Sequence, residues 1–138
     1  MRILGIDYGD ARVGVAINDE LNITAQGLET IYSKGSDKVV LKRLEEIINE
    51  FNIEKLIVGM PYNMNGSESF RAEATKKFIH KLKCRFNKVE VETIDERLTT
   101  VQSHQVMNDL NIKKSKKMSL VDTISAVYIL EVYMERNK

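Results

Sequence analysis

Cysteine is nearly missing from this chain. The single thiol, Cys84, excludes an internal disulfide and any cysteine-rich zinc site, and it suits a reducing cytosol. Histidine is scarce too: His80 and His104 are too few for a histidine metal site, and both are most simply exposed helix residues. No uninterrupted apolar run is long enough to span a bilayer, and the N-terminus enters strand pattern without a signal segment, so a soluble, cytoplasmic protein with no membrane partner is expected. Nor does either charge dominate. Twenty-one Lys and Arg face twenty Asp and Glu, a net charge of +1, so no global field announces nucleic acid, a membrane or an acidic partner. Any basic surface must be local. With 138 residues and ordinary apolar and charged fractions, one domain spanning 1–138 is the natural expectation.

What is present begins with Ile3-Leu4-Gly5-Ile6-Asp7-Tyr8-Gly9-Asp10-Ala11-Arg12-Val13-Gly14-Val15-Ala16-Ile17. It reads as two short apolar strands joined by a tight turn at Gly9-Asp10, with Asp7 where the first strand ends. The plainer reading of Asp7 is a turn-initiating side chain bonded to nearby amides. Asp10 already stands in the turn to do that, and a carboxylate between Ile6 and Tyr8 is costly to bury without a cation or donor. A functional role for Asp7 is therefore favoured.

Thr24 to Tyr32 reads as a third strand, antiparallel to the second. Gly35-Ser36-Asp37 then opens a helix whose apolar positions Val40, Leu44, Ile47, Ile48 and Phe51 follow helical spacing. Lys55 to Met60 is a short apolar strand of the kind buried on both faces of a sheet. The loop Gly59 to Ser67 leads into a helix with Ser67 as N-cap and Phe70, Ala74, Phe78 and Leu82 as its buried stripe. Such a loop, leaving the end of a central strand, is either a plain connection or a place for ligand contacts, with Asn65 a candidate for substrate. Val89 to Ile94 is another strand, followed by Asp95-Glu96-Arg97-Leu98-Thr99-Thr100 and a helix through Leu110. Capping accounts for Thr99 or Thr100, and a helix dipole favours acids ahead of it, but neither explains an acid-acid-Arg cluster at a strand end.

Lys113-Lys114-Ser115-Lys116-Lys117 is the one dense run of like charge. It reads as a solvated mobile loop, and equally as a contact with a phosphate backbone through Lys113, Lys114, Lys116 and Lys117; the two are compatible. The last helix, Leu120 to Met134, is apolar over most of its circumference, hence substantially buried. Ser119-Leu120-Val121-Asp122 has the form of a capping box, while Ser125 and Ala126 are small enough to let the helix lie close to a backbone. Asp122 taken alone is undecided between cap and function.

The pattern predicts an α/β chain: a mixed five-stranded sheet, three antiparallel strands extended by two parallel ones that arrive through helical crossovers, flanked by helices. Parallel strands end on one side, so Asp7 and Glu96 reach one edge, and the last helix can bring Asp122 there. Three carboxylates converging from distant parts of a chain repel one another unless a divalent cation joins them; hard oxygen ligands suit Mg²⁺ or Mn²⁺. Such metals can clamp the attacking and leaving oxygens of a phosphodiester displacement.

The same residues carry a resemblance. Ile6-Asp7-Tyr8-Gly9 with Arg12-Val13-Gly14-Val15-Ala16, Val58-Gly59-Met60-Pro61 with Asn65-Gly66-Ser67, Asp95-Glu96-Arg97-Leu98-Thr99-Thr100, and Val121-Asp122 with Ser125-Ala126 resemble, in order and over essentially the whole chain, the motifs of the YqgF (RuvX) family. These are bacterial ribonuclease H-like proteins regarded as pre-16S rRNA processing nucleases and as candidate Holliday junction resolvases. The resemblance implies a ribonuclease H-like fold and Asp7, Glu96 and Asp122 as the catalytic, metal-binding acids. It also implies phosphodiester cleavage by a metal-activated water in maturing the 5′ end of 16S rRNA. Arg12 and Arg97 become candidates to hold phosphate. RuvC resolvases of the same superfamily place an acid at the end of the fourth strand, where this chain has Gly59-Met60-Pro61. Its own acid follows the fifth, about 4.8 Å farther out if that strand lies beyond the fourth.

Rival classes stay in view: a resolvase acting on branched DNA, and a non-catalytic nucleic-acid-binding regulator on the same fold. Actin-like ATPases share the Asp-x-Gly hairpin but need two such domains, and only one hairpin is present here. Pre-16S rRNA, ribosomal particles and branched DNA are the partners expected, with monomer and homodimer both open.

Overall fold

The computed structural model describes residues 1–62, 65, 66, 69–95 and 114–137; between 114 and 122 it describes the backbone. The expected hairpin forms from β1 (Arg2–Tyr8) and β2 (Arg12–Asn18), continued antiparallel by β3 (Ala25–Tyr32). Helix α1 (Asp37–Phe51) leads to β4 (Ile53–Met60), α2 (Ala72–Arg85) to β5 (Glu90–Asp95), and α3 (Lys114–Arg136) closes the described chain. The five strands form one sheet in the order β3-β2-β1-β4-β5. β4 pairs with β1 and β5 with β4, both parallel. The sheet is the predicted one, and β5 does lie one strand beyond β4.

Strand alternation divides the core in two. Leu4, Ile6, Val13, Val15, Leu56 and Val58 face α1 and α2, where Val40, Leu44, Ile47, Phe78 and Leu82 complete the larger cluster. Ile3, Ala16, Ile57 and Ile94 face α3 and its Ala126, Ile129, Leu130 and Tyr133. α1 begins just past Gly35, whose φ of +81° is open to glycine without strain, and ends on Asn52 in the left-handed region. It is clamped to β3 by Arg43, which donates to both carboxylate oxygens of Glu29 at 2.9 and 2.7 Å.

Five expectations need correction. α2 starts at Ala72, not just after Ser67, which lies outside the described residues. The amide and hydroxyl of Ser69 both donate to the Pro61 carbonyl, so these residues close a loop instead of turning helical. The buried face is accordingly Ala72, Thr75, Phe78, Ile79 and Leu82, with Phe70 90% exposed.

The capping box at Ser119 does not exist: the backbone is already helical from Lys114. Lys114, Ser115, Lys116 and Lys117 thus belong to α3 and not to a loop. Finally, α3 buries one stripe, Ser125, Ala126, Ile129, Leu130 and Tyr133, while Ile124, Val127, Tyr128 and Val132 are only half-buried. A single sheet face covers it. The expected helix through Leu110 lies outside the described residues.

Candidate nuclease site

Asp7 is the last residue but one of β1, half-buried and opposite Gly14 of β2. Alternation puts it on the α3 face with Ile3 and Gly5. Its surroundings on that face are glycine: Gly14 beside it, Gly5 two residues back, and Gly59 on the same face of β4. A Cβ on Gly5 would stand 2.6 Å from the Ala126 carbonyl oxygen and 2.9 Å from Leu130 Cβ, so this glycine is what lets α3 lie on β1. The expected close approach at Ala126 is thereby realised.

α3 crosses the sheet with a readable direction. Tyr133 meets Lys55, which is opposite Ile3 at the start of β1. Ala126 meets Gly5, and Thr123 shares a 3.0 Å hydroxyl contact with Thr30, which stands in one cross-strand row with Gly14 and Asp7. The helix therefore runs against β1, and position 122, one turn before Ala126, lies toward the end of β1 that carries Asp7.

β5 brings Asp95 to the same edge, in register with Met60. Asp95 is on the opposite face, that of Leu56, Val58 and Val91, and lines a 420 Å³ cleft with Met60, Tyr62, Gly66 and Thr93. Asn65 is exposed in the loop beside it. Arg12 begins β2 and is half-buried. Glu96, Arg97 and Lys113 lie outside the described residues, and for Asp122, Lys114, Lys116 and Lys117 only the helical backbone is described.

The tip of the hairpin is fixed by Gly9 and by long-range contacts that the sequence did not announce. A Cβ on Gly9 would sit 2.7 Å from the Arg12 carbonyl oxygen, which leaves room only for glycine. The Ser33 amide donates to the Ala11 carbonyl at 2.9 Å. Arg71, at the head of α2, donates from its guanidinium to the Tyr8 carbonyl at 2.8 Å. The Tyr8 ring stacks on Phe78 with centroids 4.2 Å apart, and its hydroxyl donates to Asp37 at 2.7 Å, while Lys81 holds the other Asp37 oxygen at 2.9 Å. Burial first, and then the Asp37 carboxylate facing it, pushes the Tyr8 phenol well above its usual pKa. Tyr8 thus stays a neutral donor that ties the strand carrying Asp7 to both helices. No spacing rule in the sequence points to Arg71 or Asp37, whose partners are distant in the chain.

Of the three acids expected to hold a metal, Asp7 alone has its side chain among the described residues, and no group of three or more histidines, cysteines or carboxylates able to hold a metal is found among them. The hard oxygen that Asp7 offers suits a divalent cation.

The comparisons with known proteins agree over the full length. A family model described as "RuvX: Holliday junction resolvase" matches residues 1–136. A protein of Ruminiclostridium cellulolyticum named "Putative pre-16S rRNA nuclease" is 53% identical over 136 residues, covering 99% of this chain and 95% of the relative. One of the same name from Acetivibrio thermocellus is 50% identical over 135 residues, covering 98% and 96%. Among solved structures, the fowlpox virus resolvase with its Holliday junction DNA superposes with a TM-score of 0.61 at 18% identity, covering 99% of both chains. RuvC of T. thermophilus, with Holliday junction substrate, gives 0.58 at 17% identity, covering 99% of this chain and 96% of that one. At such identities these two show the fold, which is ribonuclease H-like.

Proposed function

The chain belongs to the RuvX family, and from that premise we propose that it is a metal-dependent nuclease, a hydrolase of nucleic-acid phosphodiesters that processes the 5′ end of pre-16S rRNA in the cytoplasm. The observation that carries the reading is the placement of Asp7: a carboxylate at the end of the central β1, on a glycine floor, with α3 running toward it from Ala126 to position 122.

Asp7, Glu96 and Asp122 form the acidic set. Asp95 faces the side of the sheet away from Asp7, and the member of that acidic pair assigned to the set is Glu96, as the family resemblance implies. When bound, Mg²⁺ or Mn²⁺ would supply a more acidic water and a counter-charge for the oxygens of the displaced phosphodiester. The chain itself supplies the rest. Asp7 is held at its strand end by the hairpin pairing and by the Tyr8 contacts with Phe78 and Asp37, which fix the backbone that carries it. Arg12, Asn65 and Arg97 hold substrate near the edge, and Lys113, Lys114, Lys116 and Lys117 meet the phosphate backbone at longer range.

The second reading, cleavage of four-way DNA junctions, is favoured by the wording of the matching family and by the folds it shares. β4 of this chain ends at Gly59-Met60, ahead of Pro61, with no acid, and its candidate Glu96 follows a strand one place farther from β1, which speaks against transferring the RuvC mechanism whole.

The test is cleavage of a 5′-extended 16S rRNA precursor, alongside a four-way DNA junction, by wild type and Asp7→Asn with Mn²⁺, Mg²⁺ or EDTA. Metal-dependent trimming of the RNA that vanishes in Asp7→Asn is expected. Symmetric cutting of the junction alone would replace this reading with the resolvase, and binding without cleavage of either would leave a nucleic-acid-binding regulator.

A further inference from the structure

The described arginines do not all sit alike. Arg2, Arg43 and Arg85 each pair with a glutamate, Glu20, Glu29 and Glu45 respectively. Arg71 does not pair with any described carboxylate; its guanidinium lies against the β1–β2 turn, with one nitrogen on the Tyr8 carbonyl at 2.8 Å. That nitrogen is also 3.8 Å from where a Cβ of Gly9 would stand, so the turn is bare where the arginine covers it. Tyr8 immediately follows Asp7. A half-buried guanidinium has five donors in a fixed plane, and a single carbonyl bond leaves most of them for something else. Near a strand-end carboxylate on the substrate edge, that something is an anion.

We propose that Arg71 is a substrate-positioning residue: anchored by the Tyr8 carbonyl, its guanidinium grips a phosphate of the nucleic-acid strand next to the bond that is cut. The role rests on the nuclease reading above, and it goes beyond the acids and the Arg12, Arg97 and lysine contacts assigned there. The anchor holds the planar fork at the β1–β2 turn, on the backbone of the residue that follows Asp7, so one phosphate is fixed relative to the end of that strand. Lysine in its place would keep the charge but not the plane, since an ammonium is a point donor on a flexible stem.

Binding of a single-stranded RNA that spans the 5′ extension is measured by fluorescence anisotropy across a KCl series in EDTA, in the Asp7→Asn background. Adding Arg71→Gln is expected to weaken binding roughly tenfold, as for loss of a charge-assisted hydrogen bond, and to lower the slope of log K against log salt by about 0.7, one phosphate contact on a single strand. Adding Arg71→Lys is expected to restore the slope while cleavage by the otherwise wild-type Arg71→Lys enzyme stays impaired in kcat. An unchanged slope in Arg71→Gln overturns the proposal whatever its thermal midpoint, because a purely structural arginine moves the midpoint and not the slope.

The nuclease reading fails separately. Wild type that binds RNA without cutting it, with the slope change present, removes the nuclease and keeps the phosphate contact. Absence of RNA binding in wild type and in Asp7→Asn removes both.

Discussion

Leu4, Ile6 and Tyr8 leave β1 toward α1 and α2, while Ile3, Gly5 and Asp7 leave the same strand toward α3. The first set ends in an aromatic that packs; the second ends in a carboxylate. Large side chains from strands and helices alike fill the first face. On the second, Gly5, Ala16, Gly27, Ser125 and Ala126 bring helix and sheet into near-backbone contact, and a Cβ on Gly27 would collide with the Thr123 methyl. The difference teaches a division of labour within seven residues of strand. The first face supplies most of the packing, and the second sets a helix at a fixed short distance beside an acid.

That division can be broken from either side. Leu44, fully buried under the first face, should cost about 2–5 kcal/mol of stability when replaced by Ala, yet leave turnover per folded molecule unchanged; urea unfolding and active-site-normalised cleavage together decide it. Asp7→Asn should do the reverse. Changes to groups that merely orient metal ligands cost 10–100-fold, so loss of the ligand proposed here should lower cleavage by more than about 100-fold, with the thermal midpoint at or above that of wild type. If Asp7→Asn cleaved normally, the second face would carry no chemistry.

Gly5→Ala sharpens the comparison because it touches both properties. Its methyl would meet the Ala126 carbonyl and Leu130, forcing α3 outward at a cost of about 1–3 kcal/mol. Cleavage should fall as well, since the helix that carries Asp122 shifts relative to Asp7. Cleavage that survived an outward shift verified by structure would separate α3 from the site.

The smallest effect lies at the opposite end of the sheet. There Lys55 donates to Glu92 at 2.6 Å and to the Tyr133 hydroxyl at 2.6 Å, and the Tyr133 hydroxyl donates to Glu92 at 2.9 Å. The Lys55 contact, seconded by Tyr133, lowers the Glu92 pKa below its ordinary 4.5. A carboxylate whose folded pKa is lowered stabilises above its unfolded value, and that contribution is lost as pH falls through 4.5 toward the folded value. Glu92→Gln should therefore flatten the acid side of the stability profile by less than about 1 kcal/mol, the side chain being 47% exposed, and leave cleavage near neutral pH unaffected.

Much of the fold was legible because each strand obeys a local rule. Period-two alternation and the Gly9-Asp10 turn sufficed for the hairpin, and the apolar run ending at Met60 for a strand buried on both faces. Helix α2 was misread at its start because Ser69 spends its donors on Pro61, a contact that no helical periodicity contains. The onset of α3 was misread because Ser119 to Asp122 satisfies the pattern of a cap whether or not a cap is needed. In the site, Asp7 could be singled out as an acid where a core residue belongs. Arg71 and Asp37 could not, since what distinguishes them is a carbonyl and a hydroxyl reached across 63 and 29 residues.

The sequence by itself determined the order of the described strands and the parallel arrival of β4 and β5, because strand direction and crossover handedness follow from local pattern and connection length. Only the tertiary structure decided which face Asp7 shares with α3, which way that helix runs, and that Asp95 points to the other side. Register and helix direction are settled by which side chains are small enough to let two elements meet. That fit is between residues distant in the chain, so no local stretch contains it.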